Sequence, residues 1–162
     1  MVNKIVFVLG VAAMIATAPD AFAQDRKAQR FLSEAIQDNY AEAQMGHLAQ
    51  QKSQNNDVKS FGEMLVTDHN AANQKALEAA KSMNMTAPNG PNRKQRAEYN
   101  RMSRLPGSQF DQTFARKMMT EHSQDIKEYQ RAARMNDAAG DYAKEALPTL
   151  RKHLQAAQSL GR

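Results

Sequence analysis

VKSFGEMLVTDHNAANQKALEAAKSM, residues 58–83, has the spacing of an amphipathic helix. Val58, Phe61, Leu65, Ala72, Ala76 and Met83 recur at steps of mostly three or four residues, and His69 stands in the same stripe. The side chains between them are mainly polar, which gives the 3.6-residue period of a helix with one buried face. Asn55-Asn56-Asp57 makes a turn ahead of it, with Asp57 suited to cap the helix, which runs to about Asn84. Pro88-Asn89-Gly90-Pro91-Asn92 then breaks the chain.

The same pattern appears on both sides. Downstream, Phe110, Phe114, Met118, His122, Ile126, Tyr129 and Ala133 form a stripe in a helix expected from about Gln109 to Met135. After the Asn136-Asp137 turn, Ala143, Ala146, Leu150, His153, Ala157 and Leu160 form another. Pro148 falls inside that last helix and is expected to kink it. Upstream, a helix from about Asp25 to Ser53 places Ala35, Glu42, Gly46 and Ala49 on a face of small residues. A short basic helix, Arg93 to Arg104, fits between the two halves, with Tyr99 and Met102 as its buried side. The expected fold is all-α: a ferritin-like four-helix bundle of two antiparallel hairpins, with one short extra helix in the long connection.

The N-terminus reads as a secretory signal over residues 1–23. Lys4 supplies the positive start, Ile5 to Ala18 the apolar run, and Ala21-Phe22-Ala23 the small-residue cleavage box. That run is too short to span a bilayer securely, so a single mature domain, 24–162, is expected in the periplasm or attached to the outer membrane. The signal holds one lysine and one aspartate, so the formal charge of +5 stays with the mature part. Export argues against nucleic acid as a partner and makes an anionic envelope surface the natural counterpart, although a basic surface is often only solubilising. There is no cysteine. Disulfides and thiolate ligands are excluded, and any metal must rely on histidine, carboxylate or methionine.

Three of the four histidines, His69, His122 and His153, occupy apolar stripes on separate helices. Counting helical rise from the nearest turns places them, with Glu42, roughly 20–25 Å along helices of roughly 35–40 Å. All four should meet near mid-bundle. Neutral imidazole and carboxylate suit zinc, iron, manganese or copper, and a sulfur from Met118 or Met119 would tilt the choice toward copper. The alternative is a metal-free network in which Glu42 satisfies the histidines and specifies packing. The residues leave both readings open. Val66, Met119 and Leu150 stand three residues ahead of these histidines, so the Glu-x-x-His pairs of a ferritin-type di-iron centre are missing.

Weaker candidates surround these four. His47 is expected to meet Glu63 at the surface. Asp68 and Glu121 each precede a histidine and point about 100° away, toward a neighbouring side chain or solvent. Thr67-Asp68-His69 and Thr120-Glu121-His122 also form part of a faint internal echo. No nucleophile triad, phosphate loop or dinucleotide fingerprint appears, so no catalytic residue is named. A metal-dependent oxidoreductase would need an open coordination position and a substrate channel, and the sequence shows neither.

Phe31-Leu32, Ala41-Glu42 and Gly46, then Val58, Phe61, Met64 and Asp68-His69, form an ordered series with Leu105, Gly107, Phe110-Asp111 and His122. Leu147-Pro148 and His153-Leu154 close it. The series resembles the domain of unknown function 4142 family over nearly all of the mature chain. That resemblance implies an exported, ferritin-like helical protein whose pattern includes Glu42, His69, His122 and His153. It implies no reaction.

Overall fold

The computed structural model describes residues 19–161, with side chains from Ala23 onward. The expected signal lies largely outside the described residues. Five helices follow one another: α1 (Pro19–Lys52), α2 (Asn56–Ser82), α3 (Arg93–Ser103), α4 (Gly107–Ala132) and α5 (Ala138–Leu160). Among the described residues there is no strand, and no helix is long and apolar enough to cross a membrane.

Local chemistry explains where the helices begin and end. The α2 cap is Asn55 rather than Asp57. The Asn55 side chain accepts from the backbone of Asp57 at 2.8 Å and of Val58 at 3.4 Å. Asp57 thereby falls in the first turn, where its charge suits the positive end of the helix dipole. At the other end Asn84 takes φ 52, and Met85 N–H donates to the Ala80 carbonyl at 2.9 Å. This is a Schellman stop with asparagine in the left-handed position. Asn92 and Gln95 close a reciprocal capping box on α3. Asp137 caps α5 through Gly140 N–H. That helix continues through Pro148 to Leu160 without a break.

Two helical hairpins follow from the pairings. Gly46 lies against Gly62 and Asn39 reaches His69, so α1 and α2 run antiparallel. A Cβ on Gly46 would sit 2.5 Å from the Gly62 carbonyl oxygen. The two glycines are what let the backbones approach, which accounts for the small-residue face of the first helix. Tyr129 faces Tyr142, and His122 faces His153, which makes α4 and α5 antiparallel. The short α3 lies against α1 and α4, buries Met102, and is tied down by Gln95 to Asp38 and by Lys52 to the Ser103 carbonyl.

The core has two apolar parts. One holds Phe31, Leu32, Ile36, Ala76, Ala80, Tyr129, Tyr142 and Ala143. The other holds Met45, Phe61, Leu65, Phe110, Phe114 and Met118. In α1, α2, α4 and α5 alike, the candidate site residue falls between the stretch that feeds one part and the stretch that feeds the other.

Candidate metal centre

Glu42, His69, His122 and His153 form that intervening layer. They are only 6, 5, 0 and 0 % exposed. One ring nitrogen from each histidine lies within 4.8 Å of the others. His122 Nε2 is 3.1 Å from His153 Nδ1. Glu42 Oε2 is 2.9 Å from His69 Nε2 and 3.3 Å from His122 Nε2. A tetrahedral centre with metal–nitrogen bonds of about 2.0–2.1 Å sets its ligand atoms roughly 3.3 Å apart. The three contacts just given are already close to that spacing.

The partners on the far side of each ring decide where its proton sits. His122 Nδ1 is 3.0 Å from the Met118 carbonyl, which can only accept, so Nδ1 carries the hydrogen and Nε2 has a bare lone pair. His153 Nε2 donates to the Asp68 carboxylate at 2.9 Å, which leaves its Nδ1 bare. His69 Nδ1 donates to Asn39 Oδ1 at 2.9 Å. Asn39 is held in that orientation by donating to the Tyr142 hydroxyl at 3.0 Å, and Tyr142 in turn meets Tyr129. Four acceptors therefore converge with no hydrogen between them. Glu42 Oε2 and His69 Nε2 have no hydrogen-bond partner among the described residues, despite their proximity. Buried atoms left so cost about 1–3 kcal/mol each. An imidazole whose outer N–H is anchored and whose inner lone pair points at other ligands is the usual posture of a metal-bound histidine.

Charge follows the same plan. Burial holds the His153 imidazole down to about 4 and lowers His122 as well, so both rings are neutral near pH 7. Burial would raise the Glu42 carboxyl, but the positive charge of protonated His122, His69 and His153 outweighs it and brings Glu42 to about 2. Neutral imidazoles beside an ionised carboxylate are the protonation states that a divalent cation requires.

The profile of the family described as Domain of unknown function (DUF4142) matches residues 12–160. The chain belongs to that family. No curated protein and no solved structure matches it.

In this DUF4142 chain all four expected residues meet at one level, and the neighbours that orient them were harder to foresee. Asp68 turns away from His69 and serves His153 on α5, while Glu121 pairs with Lys117. Asn39 was not singled out, although it stands three residues before Glu42 and therefore on the same helical face. Met118 contributes its carbonyl to the site, and its side chain packs in the phenylalanine-rich core. Met119 lies beside Gly161, near the end of α5. His47 and Glu63 are both exposed, and no hydrogen bond or ion pair joins them among the described residues.

Two clefts flank the layer. One, of about 240 Å³, lies against α1, α3 and α4 and includes Glu42 in its wall. The other, of about 120 Å³, lies against α2 and α5 and includes His69, His153 and Asp68.

Proposed function

We propose that this protein is an exported cell-envelope protein, a ferritin-like four-helix bundle that holds one transition-metal ion at its mid-bundle layer. His69 Nε2, His122 Nε2, His153 Nδ1 and Glu42 are the ligands, and metal handling or stress tolerance is the role. The observation that carries the reading is the His122–His153 contact. Two nitrogens meet at 3.1 Å, and the outer partner of each ring already holds that ring's hydrogen. A proton shared between them would relieve the contact, but burial disfavours the imidazolium on both rings. A cation binding the three nitrogens relieves it outright, and a structural zinc site gains roughly 10–16 kcal/mol at neutral pH. Zinc, iron, manganese and copper all accept this donor set.

A metal-free packing network is the second reading, favoured by the 2.9 Å approach of His69 to Glu42. Turning the Asn39 amide over would move the His69 hydrogen to Nε2 and pair it with the carboxylate. The His122–His153 contact would stay unrelieved. The exposed Arg93, Lys94, Arg96, Arg101 and Arg104 on and beside α3 are suited to an anionic envelope surface.

Elemental analysis of the mature protein, purified from its native compartment without an affinity-tag metal, separates the readings. Near-stoichiometric metal that disappears in a folded His122→Ala variant supports the metal site. A folded protein that stays empty after challenge with all four metals leaves only the packing network.

A further inference from the structure

The larger cleft is lined by six carboxylates and a single lysine, in a chain whose net charge is +5. The lysine, Lys117, is already engaged with Glu121 and sits 4.0 Å from Glu98. Asp38 on α1 accepts one hydrogen bond, from Gln95 at 2.5 Å. The charges that act most strongly on Asp125 of α4 are all carboxylates: Glu42, Asp38, Glu121 and Glu128. An acidic cluster alone would mean little, since carboxylates often gather at surfaces without a ligand. Here Glu42 supplies the second observation. It is 94 % buried and forms part of the cleft wall, while its Oε2, without a hydrogen-bond partner among the described residues, faces His69 and His122 on the inner side. This one carboxylate therefore borders both the solvent-connected cleft and the ring of bare nitrogens.

The opposite cleft is built for something else. It is half the volume, and Lys75 lines it, paired with Glu145. Lys152 sits 3.4 Å from its Asp68. The two carboxylates on that side, Asp68 and Glu145, are each paired with an ammonium group and leave no excess negative charge, whereas unpaired carboxylates on low-dielectric walls concentrate a dication.

Building on the metal-site reading above, we propose that the acidic cleft between α1, α3 and α4 is the inlet for a hydrated divalent cation. Asp38 and Asp125 replace part of its water shell, and Glu42 passes it to the histidines. Burial and mutual repulsion hold the Asp38 and Asp125 carboxyls high, at about 7 and about 9, and an arriving dication relieves that repulsion. The route needs no oxidant, reductant or covalent step. It makes the charge asymmetry of the protein kinetic in purpose: the cleft governs how fast the ion arrives, and the histidines govern how tightly it stays.

The test is stopped-flow uptake of Co²⁺ by chelator-treated protein, read from the visible absorption of the bound ion. At low ionic strength and about pH 8, where Asp38 is ionised and Asp125 gives up its proton to the entering cation, Asp38→Asn/Asp125→Asn protein should take up Co²⁺ on the order of tenfold more slowly than the native chain. Its stoichiometry and dissociation constant should be little changed, because an inlet speeds arrival and departure alike. The difference should vanish near 1 M salt, where the Debye length falls to about 3 Å. Glu145→Gln, which removes one acid from the opposite cleft, should leave the rate unaltered. Slowing by Glu145→Gln with none in the double variant would overturn the route and leave the metal site standing. An unchanged uptake rate with faster release would also overturn it, since the acids would then only stabilise bound ion. If the native chain binds no Co²⁺, the metal-site reading fails and the inlet with it.

Discussion

On one side of the Glu42 carboxylate lie three imidazoles, buried and each oriented from behind; on the other lie five further carboxylates and a lysine, half-buried and reached by solvent. Both regions are rich in acceptors and poor in hydrogens, yet they answer burial in opposite ways. Burial strips protons from His122 and His153 and presses them onto the carboxyls, because in each case it opposes the charged form. The histidine layer is consequently ready for a cation at neutral pH. The cleft must exchange a proton, or a repulsion, for one. A group's chemical type and its burial together set its state, and Glu42 stands at the boundary.

The most damaging way to break this comparison is to remove an imidazole. His153→Ala should weaken metal binding by more than 100-fold, beyond the roughly 10–100-fold expected for an outer partner. Competition against a chromophoric chelator measures it. Next come the outer partners. Asp68→Asn removes the charge that receives the His153 N–H, and Asn39→Leu releases His69. Each should cost about 10–100-fold in affinity while stoichiometry stays at one ion. An unchanged affinity in both variants would show that the tautomers need no anchoring.

The smallest effect is on metal-free stability, and it sharpens the comparison best. His153 binds its proton near 4 when folded and near its ordinary 6.5 when unfolded. The unfolded chain thus holds more protons between those values, and stability rises with pH across that window. For Asp38 and Asp125 the folded carboxyls, at about 7 and about 9, outbid the ordinary 3.8. Here the folded chain holds more protons, so stability falls as pH climbs from about 4 toward those values. Two raised carboxyls outweigh the lowered His153 in the window they share, so chelator-treated protein should be most stable on the acid side, at about pH 4–5, and lose stability from there toward about pH 9, as urea unfolding across pH will show. Asp125→Asn should recover on the order of 1–2 kcal/mol at about pH 9, a figure discounted for the solvent that reaches the cleft.

Much of this was legible in the residues themselves. Apolar side chains at helical spacing and two short turns announce the hairpins, and a histidine in an apolar stripe stands out because few charges survive there. Counting 1.5 Å per residue from the turns brought Glu42, His69, His122 and His153 to one level. Asp38 and Asp125 gave no such signal. Each sits on the flank of an amphipathic helix, where an acid that faces solvent and one that faces a cleft look the same. Their meeting depends on which faces of α1 and α4 the packing turns together, and local periodicity does not contain that. Asp68 illustrates the same limit, since its partner is 85 residues away. The misplaced α2 cap has a different cause: Asn55, Asn56 and Asp57 are all good caps, and neighbours of equal propensity compete on geometry.

The Met118 carbonyl that fixes His122 belongs to the same helix, four residues back. His69 and His153, by contrast, take their orientation from Asn39 on α1 and Asp68 on α2. One imidazole is thus committed as soon as its own helix winds, while the other two wait for helices to dock. In a partly folded ensemble, ¹⁵N tautomer signatures should persist at His122 and blur at His69 and His153. The three rings then become a built-in clock for assembly, recording secondary structure at one nitrogen and tertiary docking at the others.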